Sequence, residues 1–128
     1  MKNEGRARWM VVDDDTAVLE AVVRLLAVIS QAEIVSYPSP RQALDALAAE
    51  PGKFHLVITD FEMPGMNGVD FCQQVQDTSP STKVLLATGS GYFSDETARE
   101  NGFCGLLCKP FSIDTLKQTL ENVGAENS

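Results

Sequence analysis

Short apolar runs alternate with amphipathic stretches along almost the whole chain, and this alternation limits the folds open to it. The apolar runs have the length of buried strands and span 9–12, 34–37, 54–59, 84–88 and 103–108. The amphipathic stretches carry apolar residues three and four positions apart, as helices do, and span 16–29, 41–50, 69–76, 94–100 and 112–122. Five strand–helix pairs in sequence predict an α/β domain with a parallel sheet, covered on both faces through right-handed crossovers.

The composition agrees with a single compact domain. The chain has 128 residues, of which 44% are hydrophobic and 22% charged, close to the averages of globular proteins and unlike those of disordered chains. No linker, repeat or low-complexity segment interrupts the alternation. We therefore expect one domain over residues 7–123, with short flexible ends at 1–6 and 124–128.

The charge balance disfavours nucleic acid as a direct partner. Acidic residues outnumber basic residues by 18 to 10, which gives a net charge of −8 at pH 7. A surface field of this sign repels a phosphate backbone, so we expect no direct binding to nucleic acid.

Cysteine usage and the N-terminal sequence indicate a reducing compartment. Cys72, Cys104 and Cys108 are odd in number and, with only one histidine in the chain, lack the ligands of a usual zinc site. The N-terminal residues lack the apolar segment of a signal peptide, and no apolar run approaches the roughly 20 residues that span a bilayer. We therefore expect reduced thiols and a cytoplasmic protein without membrane insertion.

Polar residues follow the carboxyl ends of four of the five predicted strands. Asp13 and Asp14 end the first strand and Asp60 ends the third. Thr88 closes the fourth strand, and Lys109 follows the fifth. Because ligands of open parallel sheets bind beyond the carboxyl ends of the strands, we expect three carboxylates, a hydroxyl and an ammonium to converge there.

Several carboxylates packed together raise one another's pKa unless a bound cation offsets their repulsion. Oxygen ligands without histidine favour Mg²⁺, which needs few protein ligands and leaves room for a phosphoryl group. The ammonium of Lys109 is then suited to neutralise one phosphoryl oxygen, and the hydroxyl of Thr88 to donate a hydrogen bond to another.

In four places the local sequence resembles the receiver domain of two-component response regulators. The matching segments are Val11-Val12-Asp13-Asp14, Ile58-Thr59-Asp60 with the loop 63–68, Ala87-Thr88-Gly89, and Lys109-Pro110-Phe111. They occur in the family's order and cover nearly the whole chain. The resemblance implies a flavodoxin-like, doubly wound (βα)5 domain with a five-stranded sheet of order 2-1-3-4-5.

The resemblance also implies a role for each site residue. Asp60 corresponds to the phosphoacceptor, and Asp13 and Asp14 correspond to the acidic pair at the Mg²⁺ ion. Thr88 corresponds to the switch hydroxyl and Lys109 to the phosphate-binding lysine. The fourth metal ligand of the protein would be the backbone carbonyl of Glu62, two residues past the acceptor, beside the carboxylate of Asp60 itself.

The function implied is phosphoryl transfer from the phosphohistidine of a sensor histidine kinase, or of a histidine phosphotransfer protein, to Asp60. The domain is then a phosphoacceptor rather than an enzyme, although it takes part in its own Mg²⁺-dependent phosphorylation and dephosphorylation. Phosphorylation is expected to switch a face built from the fourth helix, fifth strand and fifth helix, which binds an unknown output protein. Both a free-standing regulator and a receiver within a longer chain fit the sequence.

One position departs from the family pattern. Receivers usually have an aromatic residue at the position of Leu106, and strand alternation predicts that this leucine lies on the same side as Cys104 and Cys108. We expect Leu106 to be a fixed apolar contact on the partner-binding face. Tyr92 and Phe93 are candidates to replace the missing aromatic group, although aromatic residues near a helix start more often serve packing.

Two other classes of protein share parts of this pattern. A haloacid dehalogenase-like phosphatase would use Asp13 and Asp15 as nucleophile and acid, but its motif requires Thr or Val where Ala17 stands. A flavodoxin-like electron carrier has the same strand order. The acidic run after the first strand, however, would repel the flavin phosphate that such a protein binds there.

Overall fold

The computed structural model describes residues 7–89, 91 and 93–124. Its strands are β1 (Arg8–Val12), β2 (Glu33–Tyr37), β3 (Leu56–Thr59), β4 (Lys83–Thr88) and β5 (Gly105–Cys108). Its helices are α1 (Thr16–Ile29), α2 (Pro40–Ala49), α3 (Gly68–Thr78), α4 (Asp95–Glu100) and α5 (Ile113–Asn122). Of the expected flexible ends, 1–6 and 124–128, all residues but Gly124 lie outside the described residues. Gly124 closes the turn after α5 by donating to the carbonyl of Glu121 at 3.1 Å.

The five strands form one sheet in the order β2-β1-β3-β4-β5, and every neighbouring pair is parallel. This confirms the predicted α/β fold and strand order. Strand β1 lies between β2 and β3, and pairs with β2 through Met10 and Val35 and with β3 through Met10 and Val57. The carboxyl ends of all five strands therefore lie along one edge of the sheet.

The core has two layers because alternate residues of the central strands point to opposite faces of the sheet. One layer, here called the α1/α5 cluster, joins Val11, Ile58 and Leu85 to apolar residues of α1 and α5. The other layer, the α2–α4 cluster, contains Met10, Val12, Val57, Leu86, Phe71 and Ala98, among others. Each leucine or isoleucine buried fully in this way stabilises the fold by about 1.5–3 kcal/mol.

Side-chain caps determine where the helices begin. The N-cap residues are Asp15, Ser39, Asn67, Ser94 and Ser112, and each accepts a hydrogen bond from a backbone N–H of the first turn. Asp15 accepts from Ala17 at 3.0 Å and from Val18 at 3.3 Å. The carboxylate of Asp15 thus determines where α1 begins.

Two strands begin later than predicted. The run 54–59 forms a strand only from Leu56, because the carbonyl of Phe54 accepts a hydrogen bond from the Thr82 hydroxyl at 2.7 Å. The run 103–108 forms one only from Gly105, because the N–H of Phe103 donates to the carbonyl of Ala98 in α4 at 3.1 Å. Both phenylalanines are buried, so their apolar character reports burial rather than strand pairing.

Because β5 begins only at Gly105, Cys104 and Leu106 lie in different core clusters. Leu106 is half-buried and packs against the α2–α4 cluster, as Phe93 does. Cys104 precedes the strand and packs against the α1/α5 cluster. The expectation that Cys104 and Leu106 share one side of the sheet is therefore wrong.

The remaining sequence expectations concern thiols and membranes. Cys72 is buried, Cys104 half-buried and Cys108 exposed, and all three are free thiols in the described chain. Among the helices of the described residues, none combines the length and apolar character needed to cross a bilayer.

Candidate functional site

Backbone hydrogen bonds at the ends of the strands hold the polar residues together. The N–H of Asp60 donates to the carbonyl of Val12 at 3.1 Å, which continues the pairing of β1 and β3 by one residue. The N–H of Lys109 donates to the carbonyl of Thr88 at 3.0 Å and does the same for β4 and β5. The side chains that follow these strands therefore start from fixed backbone positions at one edge of the sheet.

Lys109 lies between two of the carboxylates. Its Nζ donates to Oδ2 of Asp13 at 2.7 Å and lies 3.4 Å from Oδ1 of Asp60. The other oxygen of Asp13, Oδ1, accepts from the N–H of Asp15 at 3.0 Å. Asp13 is only 4% exposed, and both of its carboxylate oxygens have a donor, as a buried charge requires.

Burial is the largest single influence on the pKa values of Asp60 and Lys109. Burial raises the pKa of Asp60, and the charge of Asp13 raises that pKa further. Lys109 and the N–H of Phe61 act in the opposite direction. Burial also disfavours the ammonium of Lys109, but the hydrogen bond and charge of Asp13, together with the charge of Asp60, outweigh it and raise the pKa of Lys109. Lys109 is therefore a cation at neutral pH.

Three carboxylates form a group of the kind that holds a metal ion. One oxygen from each of Asp13, Asp14 and Asp60 lies within 4.8 Å of the others. Asp13 is buried and Asp14 is exposed, so the group extends from the core to the surface. Charged oxygen donors without histidine or cysteine suit a hard cation such as Mg²⁺. Burial is the main cause of the raised pKa of Asp60, and the smaller contribution from Asp13 marks repulsion that a cation would relieve.

An open cleft lies over this group. Its volume is about 630 Å³, and its lining residues are Asp13, Asp14, Asp15, Val18, Asp60, Glu62, Met63, Pro64, Asn67 and Lys109. The structure thus brings five of the six candidate residues to one cleft. The sixth, Thr88, ends β4 between the strands that carry Asp60 and Lys109, and the residue is 3% exposed.

Two residues that sequence reasoning did not single out hold the backbone of Asp60. The hydroxyl of Thr59 donates to the Asp60 carbonyl at 2.9 Å. A Cβ at Gly68 would lie 2.9 Å from the same carbonyl oxygen and 2.9 Å from the Cα of Phe61, so only glycine lets α3 begin this close to the acceptor loop. The N–H of Gly68 donates to the carbonyl of Phe61 at 2.6 Å. The Asn67-Gly68 pair at a helix start was the available signal.

Comparison with known proteins identifies the family. The family model described as the response regulator receiver domain matches residues 9–121. A probable chemotaxis protein CheY of Rhizobium etli is 30% identical over 122 residues, which cover 92% of this chain and 92% of that protein. Chemotaxis response regulator CheY4 of Vibrio cholerae has a TM-score of 0.78 and 30% identity, over 92% of this chain and 98% of that one.

A receiver domain protein from Clostridium thermocellum has a TM-score of 0.82 at 25% identity, over 91% of this chain and 93% of that one. Some relatives are much longer: the chain spans 46% of response regulator MprA of Mycolicibacterium vanbaalenii and 16% of the regulator ARR21 of Arabidopsis thaliana.

These matches do not favour a dehalogenase-like phosphatase or a flavodoxin-like electron carrier. The phosphatase would use the carboxylate of Asp15, but in the structure that carboxylate caps α1. Receiver domains are signalling phosphoacceptors of two-component systems rather than classical enzymes, and they bind Mg²⁺ at an acidic pocket. The chain belongs to the response regulator receiver domain family.

Proposed function

We propose that Asp60 accepts a phosphoryl group from the phosphohistidine of a sensor histidine kinase or a histidine phosphotransfer protein. The observation that carries this proposal is the position of the Asp60 carboxylate, which borders an open cleft and lies 3.4 Å from the ammonium of Lys109. A carboxylate at that place is accessible to a donor and has a cation beside it where phosphoryl charge would accumulate.

In the transfer, a carboxylate oxygen of Asp60 forms the new O–P bond while the N–P bond of the phosphoimidazole breaks, and the imidazole nitrogen keeps the electron pair. Lys109 keeps its hydrogen bond to Asp13 at 2.7 Å and directs its remaining N–H groups to a phosphoryl oxygen. The hydroxyl of Thr88 donates to a second phosphoryl oxygen.

The carboxylates of Asp13, Asp14 and Asp60 and the backbone carbonyl of Glu62 would hold a Mg²⁺ ion in this cleft. The bound ion would supply positive charge to the phosphoryl oxygens and to the acidic group. Asp13 is already satisfied by Lys109 and Asp15, so Asp14, which is exposed, is the carboxylate with most freedom to adjust to the ion.

Dephosphorylation follows by attack of a water molecule in line with the O–P bond, which returns the carboxylate of Asp60 and releases inorganic phosphate. The protein therefore takes part in its own phosphorylation and dephosphorylation. Its output is a change in the binding face formed by α4, β5 and α5, where Leu106 is half-buried.

The remaining expectations complete the proposal. The receiver domain extends over residues 7–123, and its partners are the phosphoryl donor and an output protein rather than nucleic acid, in keeping with the net charge of −8. The free thiols support a cytoplasmic location.

Intact mass measurement after incubation with acetyl phosphate and Mg²⁺ tests the acceptor. We expect the wild type to gain one base-labile phosphoryl group and Asp60→Asn to gain none. Asp45→Asn, at an exposed position of α2, is the matched control and should behave as the wild type. A label that persists in Asp60→Asn but is lost in Asp13→Asn would place the nucleophile after β1, as in the phosphatase alternative, and contradict the proposal.

A further inference from the structure

Three phenylalanine rings form a continuous row on the α2–α4 side of the sheet. The rings of Phe61 and Phe93 have centroids 5.0 Å apart at an interplanar angle of 63°. The rings of Phe93 and Phe103 follow at 6.4 Å and 80°. Both contacts are edge-to-face, a geometry that stabilises aromatic pairs beyond the burial of apolar area.

The first ring of this row is fixed to the acceptor site through its backbone. Phe61 follows Asp60 directly, and its N–H is close enough to the Asp60 carboxyl to act against the effect of burial on the pKa of that group. Its carbonyl accepts from the N–H of Gly68 at 2.6 Å, at the start of α3. A change in the charge or position of the Asp60 carboxylate therefore acts on the residue that carries the first ring.

The other two rings lie at the two ends of α4. Phe93 immediately precedes Ser94, the N-cap of the helix. Phe103 follows the helix, and its N–H donates to the carbonyl of Ala98 at 3.1 Å. Because α4 has only six residues, packing rather than its own hydrogen bonds must set its position, and Ala98 is the one buried residue within it.

We propose that the aromatic row, Phe61, Phe93 and Phe103, couples the state of Asp60 to the position of α4. Phe93 is the central member because it contacts both other rings. Leu106 of β5 packs in the same cluster but has no ring. The aromatic contacts on the α2–α4 side therefore come from the aromatic row and not from β5. The inference rests on the proposed function, since phosphorylation of Asp60 is the change that the row transmits.

The test compares Phe93→Leu with Phe54→Leu by two measurements on each protein, in acetyl phosphate and Mg²⁺. Phe54 lies in the same cluster but before β3, at the opposite edge of the sheet from Asp60, so its variant controls for general loss of aromatic packing. Intact mass gives the extent of phosphorylation. Amide chemical shifts of Ala98, Arg99 and Glu100 give the response of α4.

We expect all three proteins to be phosphorylated to the same extent. In Phe93→Leu the phosphorylation-induced shifts of the α4 amides should fall by about twofold or more, the size typical of residues that carry coupling, while Phe54→Leu keeps them. Full α4 shifts in phosphorylated Phe93→Leu, or equal losses in both variants, would overturn the inference and leave the proposed function intact. Absence of a mass gain in the wild type would instead overturn the proposed function, and the inference with it.

Discussion

Burial is the main cause of the raised pKa of the Asp60 carboxyl. The charge of Lys109 opposes this shift, and the neighbouring Asp13 adds to it. A carboxyl with a raised pKa binds its proton more tightly in the folded protein than in the unfolded chain. Ionisation of Asp60 therefore lowers the free energy of unfolding as pH rises from the ordinary pKa of aspartate through the raised value. The charge that the proposed chemistry requires is unfavourable to the fold at neutral pH.

We expect Asp60→Asn to be more stable than the wild type at pH 7 in the absence of divalent cations, by roughly 1 kcal/mol, a usual size for one substitution. Asparagine keeps the shape of the side chain and removes the charge. Below the ordinary pKa of aspartate both proteins are neutral at this position, so the difference should vanish at about pH 3. Urea unfolding at the two pH values measures this, and a lower stability of Asp60→Asn at pH 7 would contradict it.

At the scale of elements, the approach of α3 to the loop after β3 depends on one position. Alanine at Gly68 would place a Cβ 2.9 Å from two backbone atoms, the Asp60 carbonyl oxygen and the Phe61 Cα, and neither is free to rotate away. Alanine is intrinsically better than glycine inside a helix by about 1 kcal/mol. The steric cost opposes this gain, and overpacking of this kind costs about 1–3 kcal/mol.

We therefore expect Gly68→Ala to lower the free energy of unfolding and to slow phosphorylation of Asp60, whose backbone must shift. Gly91→Ala is the control, because a Cβ at Gly91 meets no atom within 4 Å. Denaturant unfolding and the rate of mass gain with acetyl phosphate give the two readings. The steric argument fails if the two alanine variants prove equally stable.

The elements themselves were largely predictable from the sequence, because buried parallel strands and amphipathic helices leave strong periodic signals. The starts of β3 and β5 were not, since Phe54 and Phe103 are apolar for reasons other than strand pairing. The carbonyl of Phe54 accepts a hydrogen bond from the hydroxyl of Thr82, which is distant in sequence. The N–H of Phe103 donates to the carbonyl of Ala98, which belongs to a helix. Periodicity carries no information about such contacts.

The same limit applies to a buried row of hydroxyls that joins two loops. The N–H of Gly52 donates to Ser79 Oγ at 2.9 Å, and the hydroxyls of Ser79 and Thr82 are 2.7 Å apart. Because Thr82 donates its proton to the carbonyl of Phe54, Ser79 must be the donor between the two hydroxyls. At the site, by contrast, the residues could be named in advance, because strands of known direction place their ends together.

For the molecule as a whole, burial of thiols offers a measure of folding. Burial raises the pKa of Cys72 to about 11 and that of Cys104 to about 11, so only about one in a thousand of either thiol is ionised at pH 8. Cys108 is exposed. The thiolate is the reactive form, so the folded protein should present one reactive cysteine and the unfolded chain three.

We expect a thiol-alkylating reagent at pH 8 to label the native protein once, at Cys108, and to label Cys72 and Cys104 only in denaturant. Cys108→Ser should abolish the rapid label while leaving the slow labels unchanged. Peptide mapping of the alkylated protein identifies the sites. Rapid modification of Cys72 in the native protein would show that the α2–α4 cluster opens far more readily than its burial indicates.

The two core layers also determine which residues of each strand face which side of the sheet. Met10 and Val12 face one layer while Val11 faces the other, so a single residue inserted within β1 would exchange the layer of each residue on one side of it. The same insertion would displace Asp13 from the edge by one step, about 3.3 Å. The lengths of the central strands thus fix the distance from core to cleft in whole residues, so we expect inserted residues to be tolerated only in the loops between the strands and helices.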